Sequence, residues 1–307
     1  MKNNQENDRS AFFAIVGRPN VGKSSLMNRI LGQKVAIVSS KPQTTRTRIM
    51  GVLTEGRDQL VFLDTPGLLK PRDKLGEYMV KSVTSSVAGV DAALLVVEAG
   101  TEISPADEEL LERFRSQKLP AVLAINKIDL LQEKERLIPQ IAKLSEKYPF
   151  AAVVPVSART GDGVPDLKDE LKKHCQPGGH MFPDDTLTDQ PERVLAGEFV
   201  REKMLRLLNK EVPHGVAVVV HHLEERPDGS CLDIDADIYC ERESHKGIII
   251  GKGGSMIRKI GTQAREELER FYGIKVNLQL QVMVKPNWRN KEAALRSFGF
   301  DTKDLLQ

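Results

Sequence analysis

Apolar and polar positions alternate along this chain in two rhythms, and the change comes near residue 174. Before that point, short β-branched runs are separated by stretches whose apolar residues recur at helical spacing. The runs FFAIVG (12–17), RIMGVLT (48–54), QLVFLD (59–64), AALLVVE (92–98), AVLAINK (121–127) and AAVVPVS (151–157) predict strands. Helices are expected to begin near Ser24, Leu75, Ser104, Glu133 and Val164. Ser104 can cap its helix, Pro105 suits the first turn, and Leu110, Leu111 and Phe114 form the apolar stripe. This alternation predicts an α/β unit with a mostly parallel, doubly wound sheet wrapped by helices.

The stretch HCQPGGHMFPDDTLTDQPER (174–193) is rich in Pro, Gly and Asp and reads as a linker. Beyond it the pattern predicts a long helix (192–212) and two strands (215–225 and 231–241) joined by the turn RPDGS. A glycine-broken segment, a long helix and a last strand (274–285) follow. No internal repeat is visible.

Composition narrows the class. The 307 residues suffice for two domains, and 40% apolar with 29% charged residues describes a soluble globular protein. The net charge of +2 leaves any nucleic-acid binding to a local patch. Cys175, Cys231 and Cys240 form no CxxC pair, which argues for a reducing compartment and against a disulfide framework or zinc ribbon. No signal peptide follows the polar start MKNNQENDRS, and no apolar run has the ~18 residues of a membrane span, so a cytoplasmic protein is expected.

The segment GRPNVGKS (17–24) falls between a predicted strand and a predicted helix. Gly17 and Gly22 let successive N–H groups face a phosphate at the positive end of the helix. Lys23 is placed to reach the β- and γ-phosphates, and the Ser24 hydroxyl to coordinate magnesium. Arg18, Pro19, Asn20, Val21 and Ser25 complete the loop. DTPG (64–67) ends an apolar strand, where Asp64 can reach the magnesium shell and the Gly67 amide the γ-phosphate, with Thr65 and Pro66 forming the turn. NKID (126–129) offers the Asp129 carboxylate to the N1–H and exocyclic amine of guanine, a donor pair that adenine lacks. Asn126 can bridge to the phosphate loop, and the Lys127 stem can pack on the purine. In SAR, Ser157, Ala158 and Arg159, the Ala158 amide is placed to donate to guanine O6. All four motifs fall at strand C-termini, where doubly wound sheets bind ligands.

These motifs resemble the translation-factor-like GTPases over the whole first half. That resemblance implies a P-loop GTPase that binds GTP and GDP with Mg2+, with a first switch at SSKPQTTRTR (39–48) and a second in the helix near 75–88. The x-T-R ending typical of the bacterial branch implies Thr45 as the switch threonine on magnesium beside Ser24 and Asp64, with Thr44 its adjacent alternative. Lys23, Thr45, Gly67 and Asn20 are the residues expected to bear on hydrolysis. Leu68 stands where many GTPases have a water-orienting glutamine, and it can orient no water. In related bacterial GTPases the equivalent of Asn20 helps hold K+ against the phosphates; the alternative is that Asn20 only shapes the loop. Slow intrinsic hydrolysis is expected either way.

In IIIGKGGSMIRKI (248–260), Gly251, Lys252, Gly253 and Gly254 form a GxxG loop against which a nucleic-acid backbone can lie closely. Lys246, Lys252, Arg258 and Lys259 make a basic patch, and Ile248, Ile249 and Ile250 with Ile257 are expected to form a groove for unstacked bases. The order helix, two strands, GxxG between helices and final strand resembles a type II KH domain, a smaller α+β unit that clamps single-stranded RNA. Trp288 beside Arg289 is read either as a base-stacking pair or as packing for the tail. His221 and His222 lack metal-ligand company, and the acidic residues of DIDADIY (233–239) alternate at period two as a strand's solvated face does.

A GTPase with a hydrophobic residue after DTPG, joined to one C-terminal KH domain, resembles the Era family over nearly the whole chain. That resemblance implies a factor in small (30S) ribosomal subunit assembly and 16S rRNA maturation that binds the single-stranded 3′ end of 16S rRNA. It also implies a monomer with partial peripheral association at the inner face of the cell membrane. The expected division is a polar tail (1–10), a GTPase domain (11–176), a linker (177–193), a KH domain (194–290) and a C-terminal tail (291–307). A GTP-dependent RNA-modifying enzyme or an RNA scaffold with weak GTPase activity is the alternative.

Overall fold

The computed structural model describes residues 8–67, 71–87, 89–133, 135 and 137–300. Leu68 and residue 88 at the end of the expected second switch lie outside them. In the first half, β1 (Arg9–Val16) is central because both its faces are covered. Phe13 and Ile15 point into one core with Leu26, Met27 and Leu167, whereas Ala14 and Val16 point into another with Leu110, Leu111 and Phe114. β4 (Ala92–Glu98) splits its residues between the same two cores, as a doubly covered parallel strand must.

The strand order is β2-β3-β1-β4-β5-β6, with β2 (Ile49–Glu55), β3 (Asp58–Asp64), β5 (Ala121–Asn126) and β6 (Ala152–Pro155) completing the path. All its neighbours run parallel except the β2–β3 hairpin. Five helices accompany it: α1 (Lys23–Leu31), α2 (Lys74–Val87), α3 (Pro105–Gln117), α4 (Leu137–Lys147) and α5 (Val164–Lys172). Ser104 caps α3 in a capping box with Asp107, and Pro105 opens the helix.

The stretch expected to be a linker is bound to the sheet for much of its length. β7 (Gln176–Pro177) pairs antiparallel with Ser10 and Arg9. The Gln59 side chain then bonds the backbone of Met181 and Phe182, Leu187 O accepts from Val52 N at 2.9 Å, and Thr188 Oγ1 donates to Met50 O at 2.6 Å. Pro and Gly density marked irregular backbone here, but irregular backbone can still pack.

The second half forms α6 (Glu192–Leu207), β8 (Ala217–Glu225), β9 (Cys231–Cys240), α7 (Glu243–Ile250), α8 (Ser255–Tyr272) and β10 (Lys275–Val284). Its sheet runs β10-β9-β8, parallel between β9 and β10 and antiparallel between β8 and β9. Burial alternates along β9, so Asp233, Asp235 and Asp237 share the outward face. α6 is buried on nearly all sides, because it packs on this sheet and α8 with one face and on residues 34–46 of the first half with another.

Two expected RNA contacts are corrected. Trp288 is fully buried, and its Nε1 donates to Gly215 O at 3.0 Å. It sits among Leu75, Tyr78 and Met79 of α2 and Ala294 and Leu295 of α9 (Glu292–Ser297), so it joins the halves and is closed to a base. Arg289 pairs with Asp73 and Glu241. Ile249 is likewise fully buried in the second domain's core; α7 is helical, so only its neighbour Ile248, 50% exposed, faces outward.

Candidate nucleotide and nucleic-acid sites

The loop from β1 to α1 wraps the N-terminus of α1. Gly22 has φ of +100°, and a Cβ there would lie 2.3 Å from Asn126 Nδ2, so backbone conformation and space both require glycine. Asn126 holds the loop by donating to Val21 O at 2.8 Å, and its Oδ1 accepts from Ala158 N at 3.0 Å. The Ala158 amide expected to face guanine is thus engaged with Asn126, and one asparagine ties three of the sequence motifs together. Arg18 turns away to Thr101 Oγ1 and Asp107, Thr65 Oγ1 donates to Ile15 O, and Gly67 lies against Pro19. Pro19, Asn20, Gly22, Lys23, Ser24, Ser25, Thr44, Thr45, Gly67 and Lys127 line one cleft.

Lys23 Nζ donates to Gly17 O and Arg18 O at 2.9 and 3.0 Å. Burial pulls its pKa down to about 8, against the opposing pull of Asp64 and Asp107. Ser24 Oγ donates to Asp64 Oδ2 at 2.6 Å and lies 2.9 Å from Thr45 Oγ1. Thr44 Oγ1 is turned the other way, onto Lys41 O at 2.6 Å. Asp64 Oδ1 is buried without a hydrogen-bond partner, and burial raises this carboxyl to about 6 despite Lys23, Ser24, Thr45 and Thr65. An orphaned carboxylate oxygen beside two hydroxyls is a set of hard donors that fits magnesium.

These two shifts make the site's pH dependence calculable. Lys23 is charged below about 8 and Asp64 above about 6, so both carry charge between those values. Phosphate favours charged Lys23 and magnesium favours charged Asp64. Affinity for a magnesium–nucleotide complex should therefore fall on both sides of that window, by up to about tenfold per pH unit. Calorimetry in buffers of different ionisation heat should show proton uptake on binding above pH 8 and release below pH 6. A flat profile would contradict the assignment.

Two residues beyond Lys127, Asp129 Oδ1 accepts from Ser157 Oγ at 2.6 Å, and Oδ2 lies 2.7 Å from the guanidinium of Arg159, itself an exposed side chain. Lys127, at φ +69°, extends to Glu98 at 2.7 Å. The loops that carry Asp129 and Ser157 and the loop before α1 thus all follow C-terminal ends of strands in one sheet.

In the second domain, Gly251, Lys252, Gly253 and Gly254 form a tight turn between α7 and α8, with φ of +71°, +59° and +77° at the three glycines. Lys252 and Gly253 are exposed, and a Cβ at Gly253 would meet nothing within 4 Å. Arg258 and Lys259 lie on the first turns of α8, and Lys246 on α7. The open backbone at the N-terminus of α8 is therefore flanked by cations, as a phosphate-binding surface requires.

The residues missed from the sequence are Arg46, Arg201 and Glu202. Each is buried and charged, and each links the two halves. A lone Arg in a helical or loop pattern carries no mark of such a partner.

Known proteins match both halves. The family of 50S ribosome-binding GTPases matches residues 12–127, and the KH domain family matches residues 211–289. The GTPase Era of Clostridioides difficile is 48% identical over 295 residues, 96% of this chain and 99% of that protein. The GTPase Era of Lacticaseibacillus paracasei is 48% identical over 296 residues, 96% of this chain and 98% of that protein. Two solved structures superpose with a TM-score of 0.91 at 39% identity, each covering 95% of this chain and 99% of the other. One is Era in complex with MgGDPNP and nucleotides 1506–1542 of 16S ribosomal RNA; the other is an Aquifex aeolicus Era variant bound to GDP and aluminium fluoride.

Proposed function

Because this chain belongs to the Era family of GTPases, we propose that it is a GTP-hydrolysing switch that binds the single-stranded 3′ end of 16S rRNA and acts in 30S subunit assembly. The observation that carries the reading is the end-to-end match to Era holding both a GTP analogue and a 16S rRNA segment. In the proposed division the GTPase domain spans 11–176, with the connector at 177–193 and the KH domain at 194–290.

Gly17 to Ser25, with Gly67, are assigned to the phosphates and Asn126, Lys127, Asp129 and Ser157 to Arg159 to the base. Ser24, Thr45 and Asp64 would hold magnesium, which would supply positive charge to the phosphates. The Lys23 ammonium stabilises charge that grows on the phosphates as water attacks the terminal phosphorus, and the Gly67 amide is assigned to a γ-oxygen. The side chain of a leucine at position 68 carries no hydrogen-bonding group for that water, so electrostatics must bear more of the catalysis. Asn20, exposed at the cleft mouth with φ of +65°, is proposed to hold potassium there. Turnover should then be on the order of tenfold faster in potassium than in sodium buffer; equal rates would leave Asn20 only a loop-shaping role.

Gly251, Lys252, Gly253, Gly254, Arg258, Lys259 and Lys246 are assigned to RNA, with Ile248 replacing Ile249 as the exposed apolar contact. The expected site of action is the 30S precursor in the cytoplasm, with peripheral contact at the inner membrane face; both extend the family resemblance. Among the described residues no helix is long and apolar enough to cross a membrane. Crosslinking to total RNA, with GTP turnover measured on the same protein, tests the reading. Recovery of 16S 3′ fragments and preference for GTP over ATP support it, and equal use of ATP would overturn it.

A further inference from the structure

The first switch is held by the second domain rather than by its own. From Ile37 to Arg46, the anchors beyond the loop come from α6 and the segment after it, apart from those of Thr45. Ile37 is buried with Leu195 and Phe199. Val38 N donates to Glu202 Oε1 at 2.8 Å, and Val38 O accepts from Arg206 at 3.0 Å. Two contacts flank Thr45 itself. The Thr44 carbonyl accepts from Arg201 Nη2, and the buried Arg46 donates to Val216 O at 2.6 Å and His214 O at 2.8 Å.

Arg201 is built for a fixed position. It is 2% exposed, and Glu198, one turn earlier, takes its Nε at 2.7 Å and its Nη2 at 2.5 Å. A bidentate guanidinium on a buried helix face has little rotamer freedom, so the acceptor it holds is fixed with it. The peptide before Thr45 is thus held by its carbonyl and the residue after it by its guanidinium, and the Thr45 hydroxyl lies 2.9 Å from Ser24 Oγ. A loop residue already ordered contributes no further entropic cost when the metal and γ-phosphate arrive.

We propose that Arg201 is a positioning residue for GTP hydrolysis: from the RNA-binding domain it holds the Thr44 carbonyl and keeps Thr45 aimed at the Ser24–Asp64 pair. This rests on the reading of Thr45 as a magnesium-site ligand given under Proposed function. α6 thereby bears on the geometry of the first switch, and an RNA-induced shift of α6 would reach the residue beside Thr45 through Arg201.

The test uses the full chain with Arg201→Ala, Arg201→Lys, Thr45→Ala and the Ala double variant. Arg201→Ala should lower kcat by about tenfold or more, with KM changed little. Arg201→Lys, which keeps the charge and loses the fork, should fall between it and the unmodified protein. The double variant should be no slower than Thr45→Ala alone, because Arg201 acts through Thr45. Trypsin cleavage after Arg46 and Arg48, which needs no turnover, should be faster in Arg201→Ala. A kcat within about twofold of the unmodified protein, or a loss that multiplies that of Thr45→Ala, would overturn the proposal. Should Arg201→Ala unfold, Arg201→Lys and the trypsin pattern still decide it. If the unmodified protein turns over no GTP, the functional reading fails, while trypsin still reports whether Arg201 holds the loop.

Discussion

Asp129→Asn is expected to exchange guanine for xanthine as the preferred base. Asp129 lies in the turn three residues beyond β5, whose register is fixed by parallel pairing with β4 and β6, and Ser157 holds its Oδ1 at 2.6 Å. Guanine meets it with two donors, N1–H and the exocyclic amine, and only a carboxylate accepts both. An asparagine accepts one and turns its own NH2 toward the other, leaving two donors facing each other in a partly buried site. Xanthine carries an oxygen where guanine carries the amine, so donor and acceptor match again. Sites that hydrogen-bond a group reject its unmatched analogue by about 10⁴-fold, and a GTP loss of that order is expected with a gain for XTP. Competition binding with the two triphosphates measures it. Undiminished GTP affinity in the variant would remove Asp129 from base recognition.

The second large effect is expected at the GxxG turn. Lys252→Asp combined with Gly253→Asp should weaken binding of a 16S 3′-end oligonucleotide by about 100-fold or more and flatten its salt dependence. The pair is chosen on steric grounds. A side chain at Gly253 meets nothing within 4 Å, and Asp tolerates a φ of +59°, whereas a Cβ at Gly251 would lie 2.8 Å from that of Met256. The double change therefore removes one cation and adds two anions where phosphates must approach, with little strain on the turn. Nucleotide affinity serves as the folding control, and unchanged oligonucleotide binding would place the RNA on another surface.

What was legible in the sequence is what local chemistry specifies. A strand, a glycine-rich loop and a helix with Lys23 and Ser24 at its start need only their own neighbours, and the loop stands where the motif predicts. Apart from β7, which lies in the stretch read as a linker, the strands of both halves followed from period-two and continuous apolar runs, because parallel strands and half-covered strands leave different marks. The errors share a cause. Trp288 as a base-stacking residue and Ile249 were read by what such residues do on a surface; the structure shows the tail-packing alternative for Trp288, between the distant α2 and the nearby α9, and buries Ile249 among α6, α8 and β9. Nothing in TTRTR tells that Arg46 enters the second domain while Thr45 turns back to the first. Long-range polar contacts between domains leave no periodicity.

The connector has a consequence for how the first domain can be cut free. β2 is the outermost strand of its sheet on that side, and the backbone there is engaged by Leu187 and Thr188. A fragment ended at residue 176 would bare those N–H and C=O groups, a ready template on which a second copy can add its own strand. The stretch whose composition looks most dispensable thus acts as a guard against sheet-to-sheet aggregation.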